Sequence, residues 1–392
     1  MEEQQGILNT GLRGVTIAST RISDVDGKAG RLIYRGYLVK DLADRASFEE
    51  VAYLLLYEKL PGSRALEQFR SRLAAERRIP EEMVAALKTR PADSLPMDIL
   101  QAGVSMLANH DPDIKEQGKE AADRMAVRLI AQFPVLLAAW ERVRAGKQVV
   151  SPRTDLGHAA NFLYMLTGEE PDDEIAHFMD VALVLHAEHS FNASTFAARE
   201  VASTRAHMYA SVSAAVGSLS GDLHGGANVR VMQMLKRIGS VDAVEAYVND
   251  ELDAGRLLFG LGHAVYKTDD PRAHILAPMS ERMCARIGEP QWYAISKELE
   301  HEGKEIFKQR KGIEIFTNVD FYSASLYYAM GIPIDFFTPV FAVSRVAGWT
   351  AHVIEEQYAG AAQKPALYRP ESDYIGDYCG PEECTFVPLD ER

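Results

Sequence analysis

The sequence predicts a mainly α-helical protein of two domains, with a short β segment near its N-terminus. Three observations carry this expectation. Apolar residues recur at helical spacing over about 60% of the chain, roughly twice the helical share of an average globular protein. Strand and helix patterns do not alternate, which argues against a parallel-sheet fold. The chain has 392 residues, more than the ~250–300 at which single cores usually stop growing.

Taken in order, Val15 to Ser19 and Arg31 to Tyr34 alternate like short strands, with Asp26-Gly27 as the turn signal between them. Ser47-Phe-Glu-Glu50 is a capping box opening an apolar helix through Leu60, which Pro61-Gly62 stops. Ser63 caps the next helix, which runs toward Arg78. Helical spacing recurs over 94–108, 115–145, 155–167, 173–190, 204–219, 227–238, 290–309, 321–330 and 336–357. Punctuation comes only from Gly-rich turns at Gly217 to Gly226, Gly255 to Gly262, and Gly331 before Pro333. The first and last of these bracket a segment of about a hundred residues, the size of a small domain.

Composition narrows the function. A formal charge of −14 makes the chain a poor partner for nucleic acid or an anionic membrane. With 47% hydrophobic and 25% charged residues, it is not composed like a disordered protein. Cys284, Cys379 and Cys384 are too few for a disulfide framework, which fits a reducing cytoplasm. The N-terminus has neither a basic nor an apolar targeting region. The longest apolar stretch, Ile130 to Trp140, is broken by Gln132 and Pro134 and falls short of the ~18 residues of a spanning helix. Dinucleotide, phosphate-loop and zinc-protease motifs are missing, and Gly217-Ser-Leu-Ser-Gly221 has Leu219 where a nucleophile elbow needs serine. An enzyme working in the cytoplasm without these machineries is expected.

The remaining chemistry sits in turns and at helix ends. His224 lies in Gly221-Asp-Leu-His-Gly-Gly-Ala-Asn228, ahead of a helix whose N-terminal dipole disfavours a cationic imidazole. His263 lies in Phe259-Gly-Leu-Gly-His-Ala-Val-Tyr-Lys267, followed by Asp270-Pro-Arg272. His186 and His189, three apart at the end of an apolar helix, share a face and could either ligate a metal or contact a polar ligand. Asp320 reads as a helix cap or as a poorly hydrated general base beside Phe321 and Tyr322. Arg345 stands in an otherwise apolar helix and wants an anionic partner. Arg369 precedes Pro370 near the C-terminus. Together these residues suit carbonyl chemistry on a small polyanion.

These residues carry a family resemblance. Leu185-His-Ala-Glu-His-Ser-Phe-Asn-Ala-Ser-Thr-Phe196, Asp222-Leu-His-Gly-Gly-Ala-Asn228, Gly260-Leu-Gly-His-Ala-Val-Tyr266, Asp270-Pro-Arg272, Asn318-Val-Asp-Phe-Tyr322 and Ser344-Arg345 resemble the citrate synthase family, in its order and over nearly the whole chain. Ile22-Ser-Asp-Val-Asp-Gly27 and Tyr34-Arg-Gly-Tyr37 resemble its N-terminal signature, in the short form. The resemblance implies a large dimerisation domain, 1–223 with 331–392, and a small CoA-binding domain inserted at 224–330. It implies that Asp320 deprotonates acetyl-CoA, His224 hydrogen-bonds the thioester oxygen, and His263 polarises the ketone of oxaloacetate. His189, Arg272 and Arg345 would hold the oxaloacetate carboxylates, with Arg369 entering from the other subunit of a homodimer and Phe341 beside the acyl group. For CoA it implies the backbone of Leu258, Phe259, Gly260, Leu261 and Gly262 at the adenine, and Lys267 and Lys311 near the phosphates. No metal or redox cofactor is implied. Leu261 and Thr317 stand where the family commonly has an aromatic residue and a proline. A 2-methylcitrate synthase acting on propionyl-CoA is the nearest alternative. A non-catalytic metal-binding helical protein using His186, His189 and the C-terminal cysteines is the remote one.

Overall fold

The protein's structure, a computed structural model, describes residues 11–12, 14–263, 265–358, 360–374 and 388–391. The described residues are 62% helical with one small sheet. Strands β1 (Ser23–Asp26), β2 (Arg31–Tyr34) and β3 (Tyr37–Leu38) form an antiparallel meander in which Ser23 faces Tyr34 and Asp26 faces Arg31. The expected strand at Val15 to Ser19 is not one. The hairpin closes at Asp26, whose Oδ1 accepts from the N–H groups of Lys28 and Ala29 at 3.1 and 3.0 Å, so the residues abutting the turn form the pair.

Helices α1 (Val39–Arg45), α2 (Phe48–Tyr57), α3 (Ser63–Glu76) and α4 (Glu81–Leu87) follow. Next come α5 (Pro96–Leu107), α6 (Lys119–Arg144), α7 (His158–Thr167) and α8 (Asp173–His186). After them lie α9 (Ala193–Ser203), α10 (Met208–Leu219), α11 (Ala227–Ile238) and α12 (Val244–Asp253). The last four are α13 (Pro271–Arg286), α14 (Gln291–Lys311), α15 (Val319–Ala329) and α16 (Phe337–Gln357). The capping box forms as expected, with the Glu50 carboxylate returning to the Ser47 N–H at 2.8 Å. The helix it opens stops at Tyr57 rather than Leu60, because Glu58 turns left-handed at φ +69°. Ser63 does not cap α3; Gly62 holds the cap position and Ser63 is already helical.

Helix α16 is the central strut: each residue from Phe337 to Glu356 is buried, so its polar members must find partners inside the protein. It packs against α6, α8, α9 and α10, and Trp349 meets Phe133 of α6 edge-on at 6.5 Å. Helices α11 to α15 pack chiefly on one another, α13 on α15, α12 on α14 and α11 on α15. Among the described residues no helix is long and apolar enough to cross a membrane. Cys284 is buried on α13, whereas Cys379 and Cys384 lie outside the described residues.

Candidate active site

Helix α8 ends at His186, not near residue 190, and this early stop shapes the site. Tyr34 of β2, fully buried, donates to the carbonyl of Glu188 at 2.9 Å and contacts that of Leu185 at 3.2 Å, so the sheet holds the helix end. The chain then leaves the helical path and passes through Ser190 at φ +52°. This uncommon conformation is held by a 2.9 Å bond from the Ser190 N–H to Ser23 Oγ. His186 and His189 therefore do not share a face. His186 Nδ1 donates to the Ala182 carbonyl at 2.7 Å and its ring packs against Phe341 at 4.9 Å, whereas His189 turns toward Tyr266 at 3.3 Å.

The loops after α8, α10 and α12 and the helices α13, α15 and α16 supply the groups of the site around His189. Its ring lies 5.5 Å from that of His263, which reaches in from the loop between α12 and α13. His263 Nδ1 accepts two backbone N–H groups, from Val265 at 3.0 Å and Tyr266 at 3.2 Å. Its proton must therefore sit on Nε2. Burial, reinforced by Arg272, pushes its pKa down to about 4, which keeps the ring neutral.

His224 has the opposite tautomer. Its Nε2 accepts the backbone N–H of Ser194 at 3.2 Å and lies 2.8 Å from Ser194 Oγ, so Nδ1 carries the proton. Ser194 is fixed in turn by Asn192 Oδ1 at 2.8 Å and by the indole N–H of Trp349 at 3.1 Å. Burial and then Arg345 hold His224 near pKa 4. A neutral imidazole was expected here from the helix dipole; burial is the larger cause.

Asp320 is the second residue of α15, and it is not the cap. Asn318 takes that position, accepting the Asp320 N–H at 3.0 Å and leaving the carboxylate uncommitted. Burial raises the Asp320 pKa to about 7 against the pull of Arg272, with Asp270 adding to the rise and Arg345 opposing it. The helix start is tied to the His263 loop: the Gly260 carbonyl accepts the Asn318 N–H at 2.9 Å, and the Gly262 N–H reaches the Phe316 carbonyl at 2.7 Å. Asn318 Nδ2 adds a 3.0 Å bond to the Gly262 carbonyl. Leu261 and Thr317, the two departures from the family pattern, pair with each other in an antiparallel bridge. The Thr317 N–H and hydroxyl both reach Asp269 Oδ1 at 2.9 Å, a pair of bonds that proline lacks the donors to make.

Gly260 makes that junction possible. At φ +80°, a Cβ there would lie 2.6 Å from the Phe321 ring and 2.8 Å from Val231. Gly260→Ala is expected to destabilise the fold by ~1–3 kcal/mol through overpacking and to lower turnover at temperatures where the variant is still folded. Unfolding midpoints and steady-state rates check this, and an unchanged rate would separate the junction from catalysis.

The cationic groups divide by how they are engaged. Arg272, buried at the start of α13, is gripped by Asp270 through Nε at 2.9 Å and Nη2 at 2.6 Å. Arg345, 1% exposed, donates through Nε to the His186 carbonyl at 2.7 Å and stacks 4.6 Å over Phe341. Nothing among the described residues hydrogen-bonds its two terminal nitrogens, so its fork is open to a carboxylate. Burial pushes its pKa down to about 10, against Glu188. Arg369 is exposed and makes no ion pair or hydrogen bond to this chain's cleft among the described residues; its neighbour Tyr368 is anchored through a 2.7 Å bond to Glu356. Lys267 and Lys311 are exposed and not paired with a described acid.

Donor atoms of His189, His263 and Asp270 lie within 4.8 Å of one another, enough for a metal in principle. Asp270 is already spent on Arg272, and the arginines oppose a cation there, so the cluster suits an anion better. The pairing of His186 with His189 as metal ligands is not supported by the geometry. Sequence reasoning gave no role to Glu188, Asp270, Asn192, Ser194, Tyr266 or Asn318, which hold the functional groups in place. Asp270-Pro271 and Asn192 did carry readable signals, as caps of α13 and α9.

The cleft thus combines a poorly hydrated carboxylate, two neutral imidazoles of opposite tautomer and an arginine open to an anion. A family model described as the C-terminal domain of citrate synthase matches residues 11–371. The citrate synthase of Haloferax volcanii is 44% identical over 99% of this chain and 100% of its own. The 2-methylcitrate synthase of Shewanella oneidensis is 38% identical over 96% and 97%. The citrate synthase of Thermoplasma acidophilum, solved with carboxymethyl coenzyme A and oxaloacetate, superposes at a TM-score of 0.89 with 32% identity, covering 97% of this chain and 98% of that one. Matched from end to end in sequence and in fold, this chain belongs to the citrate synthase family.

Proposed function

We propose that the chain condenses acetyl-CoA with oxaloacetate and hydrolyses the citryl-CoA intermediate to citrate and CoA. The observation that carries this reading is the uncommitted Asp320 carboxylate, which shares the influence of Arg272 and Arg345 with two neutral imidazoles whose tautomers are fixed in opposite senses. Asp320 takes a proton from the thioester methyl group as general base. The Nδ1–H of His224 stabilises the developing enolate oxygen. The Nε2–H of His263 polarises the ketone of oxaloacetate and supplies the proton to its oxygen as the carbon–carbon bond forms. Arg345, Arg272 and His189 hold the carboxylates, and Arg369 of a second copy completes the pocket in a homodimer. Water then cleaves the thioester, releasing CoA.

Residues 224–330 act as the smaller domain that closes over 1–223 and 331–392 and dries the site. Several backbone groups of 260–262 are used internally, so adenine recognition falls to the rest of the 258–262 loop, with Lys267 and Lys311 toward the phosphates. The chemistry needs no metal or redox cofactor, and a cytoplasmic enzyme of central carbon metabolism fits the reading. Propionyl-CoA is the competing thioester, favoured by the Shewanella relative, since one methylene is worth only ~1–3 kcal/mol in an apolar pocket. Thiol release from each thioester, with and without oxaloacetate, tests the proposal. Oxaloacetate-dependent release that is faster with acetyl-CoA is expected; faster release with propionyl-CoA makes the chain a 2-methylcitrate synthase, and none with either defeats both readings.

A further inference from the structure

We propose that Glu188 is the fixed counter-charge of the oxaloacetate pocket, a positioning residue that acts on the substrate through Arg345. The inference rests on the proposed role of Arg345 in binding carboxylates. Glu188 is fully buried and takes no part in the chemistry above. One of its oxygens, Oε1, accepts from the Ser23 hydroxyl at 2.9 Å and from His352 Nε2 at 3.0 Å. Arg199, which can only donate, lies 3.0 Å from His352 Nδ1. That nitrogen must therefore be the acceptor, and the proton on Nε2 points at Glu188. His352 thus presents a hydrogen bond to the carboxylate, while its other face is spent on Arg199.

The second oxygen, Oε2, is buried without a hydrogen bond. It rests on α16 at Gly348, where any Cβ would collide with it and with the Ala187 carbonyl. A side chain is missing from the central strut where the carboxylate lies. Arg345 stands three residues earlier on that helix, on the same face. Its Nε is bonded to the carbonyl of His186, two residues before Glu188, which ties the segment carrying one charge to the helix carrying the other.

Among the described residues, seven groups face Arg345 electrostatically: His186 at the end of α8, Glu188 and His189 from the loop after it, Tyr34 from β2, His224 from the loop before α11, Arg272 from α13 and Asp320 from α15. Glu188 is the foremost of them in keeping the guanidinium protonated. In return, Arg345 acts with His352 and Ser23 to hold Glu188 ionised against its burial. The contrast with Arg272 explains the layout. Asp270 neutralises Arg272 by direct contact and occupies part of its fork, whereas Glu188 acts from one layer back and leaves both terminal nitrogens of Arg345 free for substrate. A buried guanidinium without any counter-charge would be costly to keep ionised.

Glu188→Gln tests this, because the amide oxygen can still accept from Ser23 and His352 while the charge is lost. Citrate binding to the full-length protein, followed by calorimetry from pH 7.5 to 10, is the readout. Binding to the wild type is expected to weaken only as pH approaches the Arg345 pKa of about 10. In Glu188→Gln the weakening should begin at least about one pH unit lower, the least shift expected when an adjacent opposite charge is removed. Glu188→Asp keeps the charge and should keep the wild-type alkaline limb even if binding is weaker throughout. Identical limbs in wild type and Glu188→Gln, or a loss independent of pH, would overturn the proposal. If Glu188→Gln does not fold, a shifted limb in Glu188→Asp overturns it instead. Failure of the wild type to bind citrate would sink the proposed function, a result distinct from either.

Discussion

Asp320→Asn is expected to lower turnover by about 10²–10⁴-fold, the usual contribution of a positioned general base. The substitution is nearly isosteric and leaves the Asn318 cap of α15 intact, so oxaloacetate binding should survive it. In the wild type, activity should fall as pH drops through about 7, because the base works only when ionised. Stability should move the other way. An aspartate ionises near 3.9 in the unfolded chain, but only near 7 in this fold. Between those values the folded state holds the extra proton, so stability contributed by the protonated carboxyl is lost as pH rises from about 4 to 7. Asp320→Asn escapes that loss. Its melting temperature should exceed the wild type's without substrates, by a margin that is larger at pH 8 than at pH 5. Near-normal turnover, or a margin independent of pH, would remove Asp320 from the role of base.

The elements legible in the sequence were those with local punctuation. Helix α11 runs from Ala227 to Ile238 as the spacing predicts, because Gly226 precedes it and the left-handed Gly239 ends it. Helices α1, α4, α9, α12 and α13 were not anticipated. The first two have only seven residues each, too few for periodicity to stand out. The overextension of α8 to residue 190 had a different cause. His186-Ala-Glu-His189 has no breaker residue, and the helix yields because Tyr34 and Ser23, more than 150 positions away, capture the next turn. Such long-range competition leaves no trace in local spacing. The same holds for the site: His224, His263 and Asp320 stood out by residue type and by family resemblance, whereas Ser194, thirty positions from the imidazole it orients, did not. The chemistry was readable; the groups that fix its protons were not.

Those fixed protons give the second large effect. His224→Ala and His263→Ala should each cost about 10²–10³-fold in turnover, the scale for removing one preorganised donor. The informative variants exchange the donor's position. Asparagine places its amide nitrogen where Nδ1 of histidine lies, and glutamine places its own near Nε2. Since Ser194 fixes the proton of His224 on Nδ1, His224→Asn should retain more turnover than His224→Gln. Since the Val265 and Tyr266 N–H groups fix the proton of His263 on Nε2, His263→Gln should there bind oxaloacetate better than His263→Asn. An amide cannot surrender its proton, so at position 263 the recovery should appear in the KM for oxaloacetate and not in kcat. The acid limb set by Asp320 should stay near pH 7 in all four amide variants, because neither imidazole is charged in that range. If asparagine proves the better substitute at both positions, or glutamine at both, the tautomers are not opposed. The two hydrogen bonds then cannot have been divided between the thioester and the ketone in the way this geometry requires.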